Sequence, residues 1–441
     1  MDFRMADGYC AYVTVIKDLH KHSNADRLQC ATIFGNNVIV DMTYSDGQKV
    51  IYFPVDGQLS EEFANDNNLV VKKDGDGNNI GGYLDPVKRN IKALKLRGEK
   101  SDGLVLPLEV LNKYIDISTL SDGTKINVLN GHEICRKYIP VSKTNRVRER
   151  NHDSGNKKNK EGKTSYLFFN EHVDTSQLVY NQGAFKQGDT CYITLKMHGT
   201  SQRTMNAFKI TKKTNALRRL LHIKTKVTTG YEIVSGTRRT VLRTFNNGGF
   251  YGDNGFRKKY HDMFKDKLPK GMEIFYEVVG WVDKNNTIMG KCSNKLIKDK
   301  EFQEKYGDET VFSYGCNVGG NDCYVYRMTM TNEDGYVVEI PWEQVQIECE
   351  KMGVKCVPTF EKFNYTTWED LMERVEKYYD GPDPVGRTHI REGVVVRIDN
   401  REKFTAFKHK PFYFKVLEGI VKDNSDAPDM EEAEELIDDG E

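Results

Sequence analysis

Four short strings in the sequence carry side chains able to handle a phosphorylated substrate. The first is Cys191-Tyr-Ile-Thr-Leu-Lys196-Met-His198-Gly199-Thr-Ser. An apolar run of strand character ends at Lys196 beside a glycine turn. In that setting an amine can project into a cleft as a nucleophile, while Gly199 lets a phosphate or a backbone come close. The second, Met272-Glu-Ile-Phe-Tyr-Glu277-Val-Val-Gly280, reads as a buried strand that carries a carboxylate, a costly placement unless the carboxylate binds something. In the third, Arg391-Glu392-Gly-Val-Val-Val-Arg397, a carboxylate again opens a valine strand. The fourth, Phe407-Lys408-His409-Lys410, sets two lysines two apart, on one face of a strand.

Each string has a plainer reading. Glu277 and Glu392 suit edge-strand charges that block aggregation, Lys408 and Lys410 suit a solvated face, and K-x-x-G recurs at Lys72, Lys95 and Lys100. Order and context single out Lys196: one amine, two carboxylates and a lysine pair, all on strands, can line one cleft. Other chemistries lack their signatures. Nothing fits G-x-x-x-x-G-K-[ST], no G-x-G-x-x-G follows a strand and opens a helix, and neither H-E-x-x-H nor G-x-S-x-G occurs. The nine cysteines form no C-x-x-C pair, which suits free thiols without a structural metal.

The elements that must position these residues follow from composition and pattern. At 441 residues, 38% hydrophobic and 29% charged, the chain is long enough for two domains with real cores. It has no run of about 18 apolar residues and no apolar leader, so a cytoplasmic protein without a membrane span is expected. The first 130 residues are rich in strand-like stretches, YVTVI (12 to 16), NVIVDMTY (37 to 44) and KVIYFPV (49 to 55), split by turn signals at Phe34-Gly-Asn-Asn and Ser45-Asp-Gly. A small β barrel or sandwich is predicted there. From Ser142 to Lys163 the pattern stops, with eight Lys and Arg against three acids, which reads as a basic linker or loop.

After Tyr166 strands mix with helical patterns at Asn215 to Lys226, at Asn254 to Lys267, and beyond Thr366 or Thr367. In the last, Glu369 and Asp370 favour the first turn, Leu371, Val375 and Tyr379 share a face, and Gly381-Pro382 ends it. The order points to an α+β fold. Residues 423 to 441 hold ten acids and no Lys or Arg, so an otherwise neutral chain carries a net +10 over its first 422 residues, compatible with a phosphate-rich partner. The acidic end reads as a solvated tail.

In this order the four strings resemble the covalent nucleotidyltransferases, the superfamily of ATP-dependent RNA and DNA ligases and capping guanylyltransferases. Lys196 to Gly199 matches the nucleophile motif, Phe275 to Gly280 the third, Glu392 to Val396 the fourth and Lys408 to Lys410 the fifth. Ser235-Gly-Thr-Arg-Arg239-Thr resembles the motif that supplies a substrate-contacting arginine, and Tyr326-Arg-Met-Thr the strand whose aromatic residue stacks on the base. His22-Ser-Asn24-Ala-Asp26-Arg27-Leu28, Val50-Ile-Tyr-Phe-Pro-Val-Asp56 and Leu94-Lys-Leu-Arg97-Gly98 resemble the OB-type domain of the Deinococcus-type (type 5) RNA ligase family. His198 stands where that nucleophile motif usually has an acid, as in several RNA ligases.

The resemblance implies an OB-type β barrel over residues 1–140, a basic linker over 141–164, a ligase domain of antiparallel sheets with flanking helices over 165–421, and a tail over 422–441. It implies an ATP-dependent RNA ligase whose substrate is a nicked duplex or a broken strand, acting as a monomer with Mg2+ or Mn2+. Lys196 would attack the α-phosphate of ATP, AMP would pass to an RNA 5′-phosphate, and a 3′-OH would displace AMP. Lys408 and Lys410 would hold the α-phosphate, Glu277 the ribose hydroxyls, and Glu392 the metal. Gly199, Arg239 and Tyr326 would complete the nucleotide site, and Lys92, Lys95 and Arg97 would meet RNA. A capping guanylyltransferase using GTP, or a non-catalytic RNA-binding protein, are the alternatives. A free lysine amine is about one part in a thousand or less unprotonated at neutral pH, a handicap of roughly 4 to 5 kcal/mol that such a site must offset.

Overall fold

The computed structural model describes residues 9–418 except 74, 76–78, 98, 139–162, 171, 173–174, 214–225, 239, 246–250, 253 and 298. The basic 141–164 segment is therefore almost wholly outside the described residues, as are the helical pattern beginning at Asn215, Arg239 and the acidic tail. Contacts divide the chain into two compact units. One comprises residues 1–140, with 296–298 and 415–425, and the rest forms the other. No helix among the described residues is long and apolar enough to cross a membrane.

The N-terminal unit opens with β1 (Ala11–Val15), β2 (Lys17–Lys21), β3 (Leu28–Ile33), β4 (Asn36–Asp41) and β5 (Lys49–Phe53), and continues through α1 (Glu61–Asp66). It then adds β6 (Ala93–Leu96), β7 (Glu99–Asp102), β8 (Leu104–Pro107) and β9 (Lys125–Ile126). β8, β5, β1 and β9 form a four-stranded antiparallel sheet, β2, β3 and β4 a three-stranded meander, and β6 with β7 a hairpin. Among the described residues these sheets do not close into one hydrogen-bonded barrel. Phe34 and Gly35, at φ 51° and 77°, make the two-residue turn between β3 and β4, and positive φ at both positions gives the turn a twist that matches the right-handed twist of the strands. Ile51, Phe53, Phe63, Leu106 and Ile126 fill the core.

The second unit is built on two sheets. The strands in order are β10 (Lys163–Leu167), β11 (Ser176–Gln177), β12 (Thr190–Leu195), β13 (Thr200–Lys213), β14 (Lys226–Gly236) and β15 (Val241–Leu242). After α2 (Gly255–Phe264) come β16 (Met272–Gly280), β17 (Asn321–Thr331), β18 (Val337–Glu339), α3 (Trp342–Met352), β19 (Lys355–Cys356) and β20 (Thr359–Asn364). The series ends with α4 (Trp368–Glu376), β21 (Val394–Ile398) and β22 (Thr405–His409). An eight-stranded sheet runs β15-β14-β13-β16-β17-β18, with β10 on β13 and β19 on β17, and a five-stranded sheet runs β11-β22-β21-β12-β20. The mixture of sheets with segregated helices is the α+β arrangement expected.

α4 begins as its sequence signals, with the Thr367 side chain accepting from the Asp370 amide at 3.2 Å and Leu371 and Val375 buried. α2 spans the core of the Asn254 to Lys267 pattern. The two sheets are also tied by a hydrogen bond, Arg397 of β21 donating to the Tyr326 carbonyl of β17 at 3.1 Å, and the Trp342 amide of α3 donates to Asp399, just past β21, at 2.9 Å.

Within the larger sheet, Arg203 of β13 is buried and donates to Glu273 of β16 at 2.8 Å and to the Thr237 carbonyl at 2.9 Å, with its guanidinium 3.7 Å from the Phe169 ring centre. An arginine shut off from solvent in this way depends on that carboxylate. Glu273→Ala is expected to cost about 3–5 kcal/mol by stranding the buried cation. A guanidinium chloride titration checks this, and a loss under about 1 kcal/mol would show that the pair does not hold the sheet.

Candidate active site

Residues 196–199 carry the chain from the end of β12, in the smaller sheet, to the start of β13, in the larger one. This crossing places Lys196 at the junction of the sheets. Its amide donates to the Gly393 carbonyl at 3.0 Å, which continues the pairing of Leu195 with Val394 one residue past the ladder. Gly393 has φ 138°, and a Cβ there would fall 2.1 Å from the His409 carbonyl oxygen, so only glycine fits this approach of three chain segments. Gly199 is equally confined, since its Cβ would lie 2.3 Å from the Val278 carbonyl oxygen and 3.0 Å from Glu277 Cγ.

Side chains from both sheets converge here. Lys196 Nζ lies 2.8 Å from Glu392 Oε1, and Lys410 Nζ, just past β22, lies 2.9 Å from the same oxygen. His198 Nδ1 is 3.9 Å from it. Glu392 is 2% exposed, and its other oxygen, Oε2, is buried without a hydrogen-bond partner among the described residues. Burial alone would push the Glu392 carboxyl up. The charges of Lys196, Lys410 and His198, with the hydrogen bond from Lys196, outweigh burial and hold it well below the usual carboxylate range. Two ammonium groups on one carboxylate leave the cluster net positive, the right sign for a polyphosphate.

Glu277 lies on β16 opposite Ser201 of β13, so both side chains share one face. Opposite β16, Tyr324 pairs with Glu277, Val325 with Tyr276 and Arg327 with Phe275, which leaves Tyr326 as the extra residue of a bulge. The bulge turns its hydroxyl to Ser201 Oγ, 3.0 Å away. Beside it the rings of His172, Phe275 and Tyr326 cluster, with His172 centred 4.8 Å from Phe275 and 5.8 Å from Tyr326. A cluster of tilted aromatic rings next to a buried carboxylate can take a purine and its ribose.

Lys196, His198, Glu392 and Lys410 thus come together in direct contact, and Gly199 packs against Glu277. Lys408 is half-buried in β22, opposite Val395 and two residues before Lys410. Arg239 is outside the described residues. In the N-terminal unit Lys92 is half-buried and Lys95 lies on β6, opposite Lys100, while Arg97 is exposed at φ 46° with its guanidinium 3.4 Å from the Asn24 carbonyl. The string His22 to Leu28 acts as a clasp here. His22 Nε2 meets the Leu96 carbonyl at 3.1 Å, and Asn24 donates to the Arg97 carbonyl at 3.1 Å.

Sequence reasoning missed His172, Phe275 as an aromatic platform, and Tyr314, whose hydroxyl accepts from the His198 amide at 2.6 Å. His172 and Tyr314 lie in stretches without motif character. Phe275 does lie in the third string, and its alternation with Glu277 was the available signal that both share a face.

A family model described as RNA ligase matches residues 189–417, just over half of the chain, from the residue before β12 to beyond Lys410. Among solved structures, the Naegleria gruberi RNA ligase with PPi superposes with a TM-score of 0.57 at 16% identity, covering 92% of this chain and 97% of that one. A variant of that ligase with ATP and Mn gives 0.55 at 16%, over 93% and 99%, and one with AMP and Mn gives 0.56 at 14%, over 92% and 98%. At such identity these likenesses speak for a shared fold. No curated protein sequence matches. Because the family model spans more than half of the chain and contains the whole lysine and carboxylate cluster, the protein belongs to the RNA ligase family.

Proposed function

We propose that this RNA ligase is ATP-dependent, takes Mg2+ or Mn2+, and joins 3′-OH and 5′-phosphate RNA ends through AMP held covalently on Lys196. The observation that carries this reading is the meeting of Lys196 and Lys410 on one oxygen of the buried Glu392, beside Glu277. The Naegleria ligase structures were obtained with ATP and Mn, AMP and Mn, and PPi, which supports the same cofactors here.

The residues fit a hard divalent cation, since Glu392 Oε2 is a buried, unpartnered carboxylate oxygen and magnesium and manganese prefer such donors. Glu392 would hold the ion directly or through water. When bound, such a cation would neutralise charge on the departing pyrophosphate. Lys196 must give up its proton to solvent before its amine attacks the α-phosphate. Formation of the N–P bond expels pyrophosphate and leaves AMP on the lysine.

Lys410, fixed against Glu392, and Lys408 would hold the α-phosphate through the charged transition state. Glu277 would accept from the ribose hydroxyls, with Gly199 giving the nucleotide room to approach. Tyr326, in the ring cluster with His172 and Phe275, would stack on adenine, and Arg239 would contact substrate. AMP transfer to the RNA 5′-phosphate activates that end, and the 3′-OH then displaces AMP to seal it.

The finer assignment is to the Deinococcus-type (type 5) group, with the N-terminal unit as its OB-type RNA-binding domain. Its support is the set of N-terminal strings together with the small antiparallel sheets they form. Lys92, Lys95 and Arg97 would meet RNA there, a nicked duplex being the favoured form, with affinity that falls as salt rises.

Lys196→Ala is expected to abolish transfer of label from ATP to the protein, while sealing of a pre-adenylylated RNA partly survives. Mass spectrometry of the wild type should show one added AMP on Lys196. Addition at another residue, or labelling by GTP in place of ATP, would refute the reading and favour a guanylyltransferase. Glu392→Gln should lower self-adenylylation about 100-fold with the protein still folded by circular dichroism, since it removes a charged group that orients both lysines. Chelation of divalent cations from the wild type should stop labelling as well.

A further inference from the structure

Tyr314 lies outside every string that drew attention in the sequence, yet it grips the loop that carries Lys196. Its hydroxyl accepts from the His198 amide at 2.6 Å. The residue is 4% exposed, and burial, reinforced by the charges of Glu392 and Asp383, raises its pKa well above 10.0, so the hydroxyl stays protonated and neutral. Its backbone takes φ 51°, a conformation that is unfavourable for a bulky residue and persists only where surrounding structure imposes it.

The surroundings that impose it lead directly to Glu392. The His389 ring meets Tyr314 edge to face at 4.6 Å and Phe312 at 5.1 Å, and Phe312 in turn meets His198 at 4.6 Å. Gly386 lies flush on the Tyr314 backbone, where a Cβ would come 2.5 Å from its carbonyl carbon and 2.4 Å from the Gly315 nitrogen. The 383–390 turn is closed by the Asp383 amide on the His389 carbonyl at 2.8 Å, and by Asp383 Oδ2 accepting from the Gly386 amide at 2.6 Å. Two residues after Ile390 the same chain presents Glu392. Tyr314 therefore touches the nucleophile loop with its hydroxyl and the turn preceding the carboxylate with its ring and backbone.

We propose that Tyr314 is a positioning residue for the lysine-attack step, its hydroxyl holding the 196–199 loop through the His198 amide so that Lys196 is aimed relative to Glu392. The inference rests on Lys196 being the nucleophile, as argued above. Attack on the α-phosphate needs the amine placed along one line, and small errors of placement reduce the rate steeply. Sealing of an already adenylylated end makes no use of the lysine as a nucleophile, so the requirement is confined to one step.

The test is Tyr314→Phe, which keeps the ring and removes only the hydroxyl. Single-turnover self-adenylylation should slow about tenfold at saturating ATP, the value expected for one lost hydrogen bond, with the ATP concentration giving half-maximal rate unchanged. Sealing of pre-adenylylated RNA by the same preparation should stay within about twofold of wild type, which also reports that the variant is folded. Equal slowing of both steps would assign Tyr314 a general structural role and overturn the proposal, as would undiminished adenylylation. If the wild type itself took no AMP from ATP, the functional reading would fail instead, and the two failures are distinct.

Discussion

The site depends on one carboxylate oxygen shared by two ammonium groups. Glu392 is carried into a nearly dry position, a placement that would cost several kcal/mol for an isolated charge and is tolerated because Lys196 and Lys410 approach at 2.8 and 2.9 Å. Removal of Glu392 leaves both ammonium groups without their shared counter-ion, whereas removal of either lysine leaves a single ion pair. The architecture therefore has to deliver β12, β21 and the end of β22 to the same point, and the five-stranded sheet does so by placing β21 between the other two. The glycines at 199 and 393 are the local condition for that convergence, because each sits where a Cβ would strike a neighbouring carbonyl oxygen.

The second condition is the passage between sheets. β12 and β13 are consecutive in sequence but belong to different sheets, and only residues 196–199 separate them. A loop this short leaves few torsions with which to place the lysine, so the rest of the placement comes from partners outside it. The Gly393 carbonyl and the Tyr314 hydroxyl take the Lys196 and His198 amides. The wall formed by Glu277, Ser201 and the Tyr326 bulge belongs to the larger sheet.

Much of this site was legible in the sequence. Lys196 and Glu392 stand out at the ends of apolar strands, and Lys410 could be found because the order of the four strings matches that of the covalent nucleotidyltransferases. The α4 cap at Thr367 and the β3–β4 turn were readable for a similar reason, since their determinants lie within a few residues of one another. Tyr314 was not, because its role arises from contacts more than a hundred residues away in sequence, with His198, and about seventy away, with Gly386 and His389. The Arg203 and Glu273 pair was hidden likewise. Both residues look like ordinary strand charges until β13 and β16 are placed side by side with Phe169 above them. Strand spacing left a barrel or a sandwich open in the N-terminal unit and the resemblance implied an OB-type barrel, whereas the strands pair as separate small sheets that do not close among the described residues.

The open oxygen of Glu392 bears on why both of its partners are lysines. An ammonium is a compact point charge that can meet a single oxygen and leave its neighbour exposed, whereas a guanidinium presents a planar fork that closes on both oxygens of a carboxylate at once. An arginine at position 410 would keep the charge and still occlude Oε2, the atom without a partner among the described residues. At this position the two basic residues are not interchangeable: the denticity of the cation, and not its charge, decides whether the carboxylate has a lone pair left to offer.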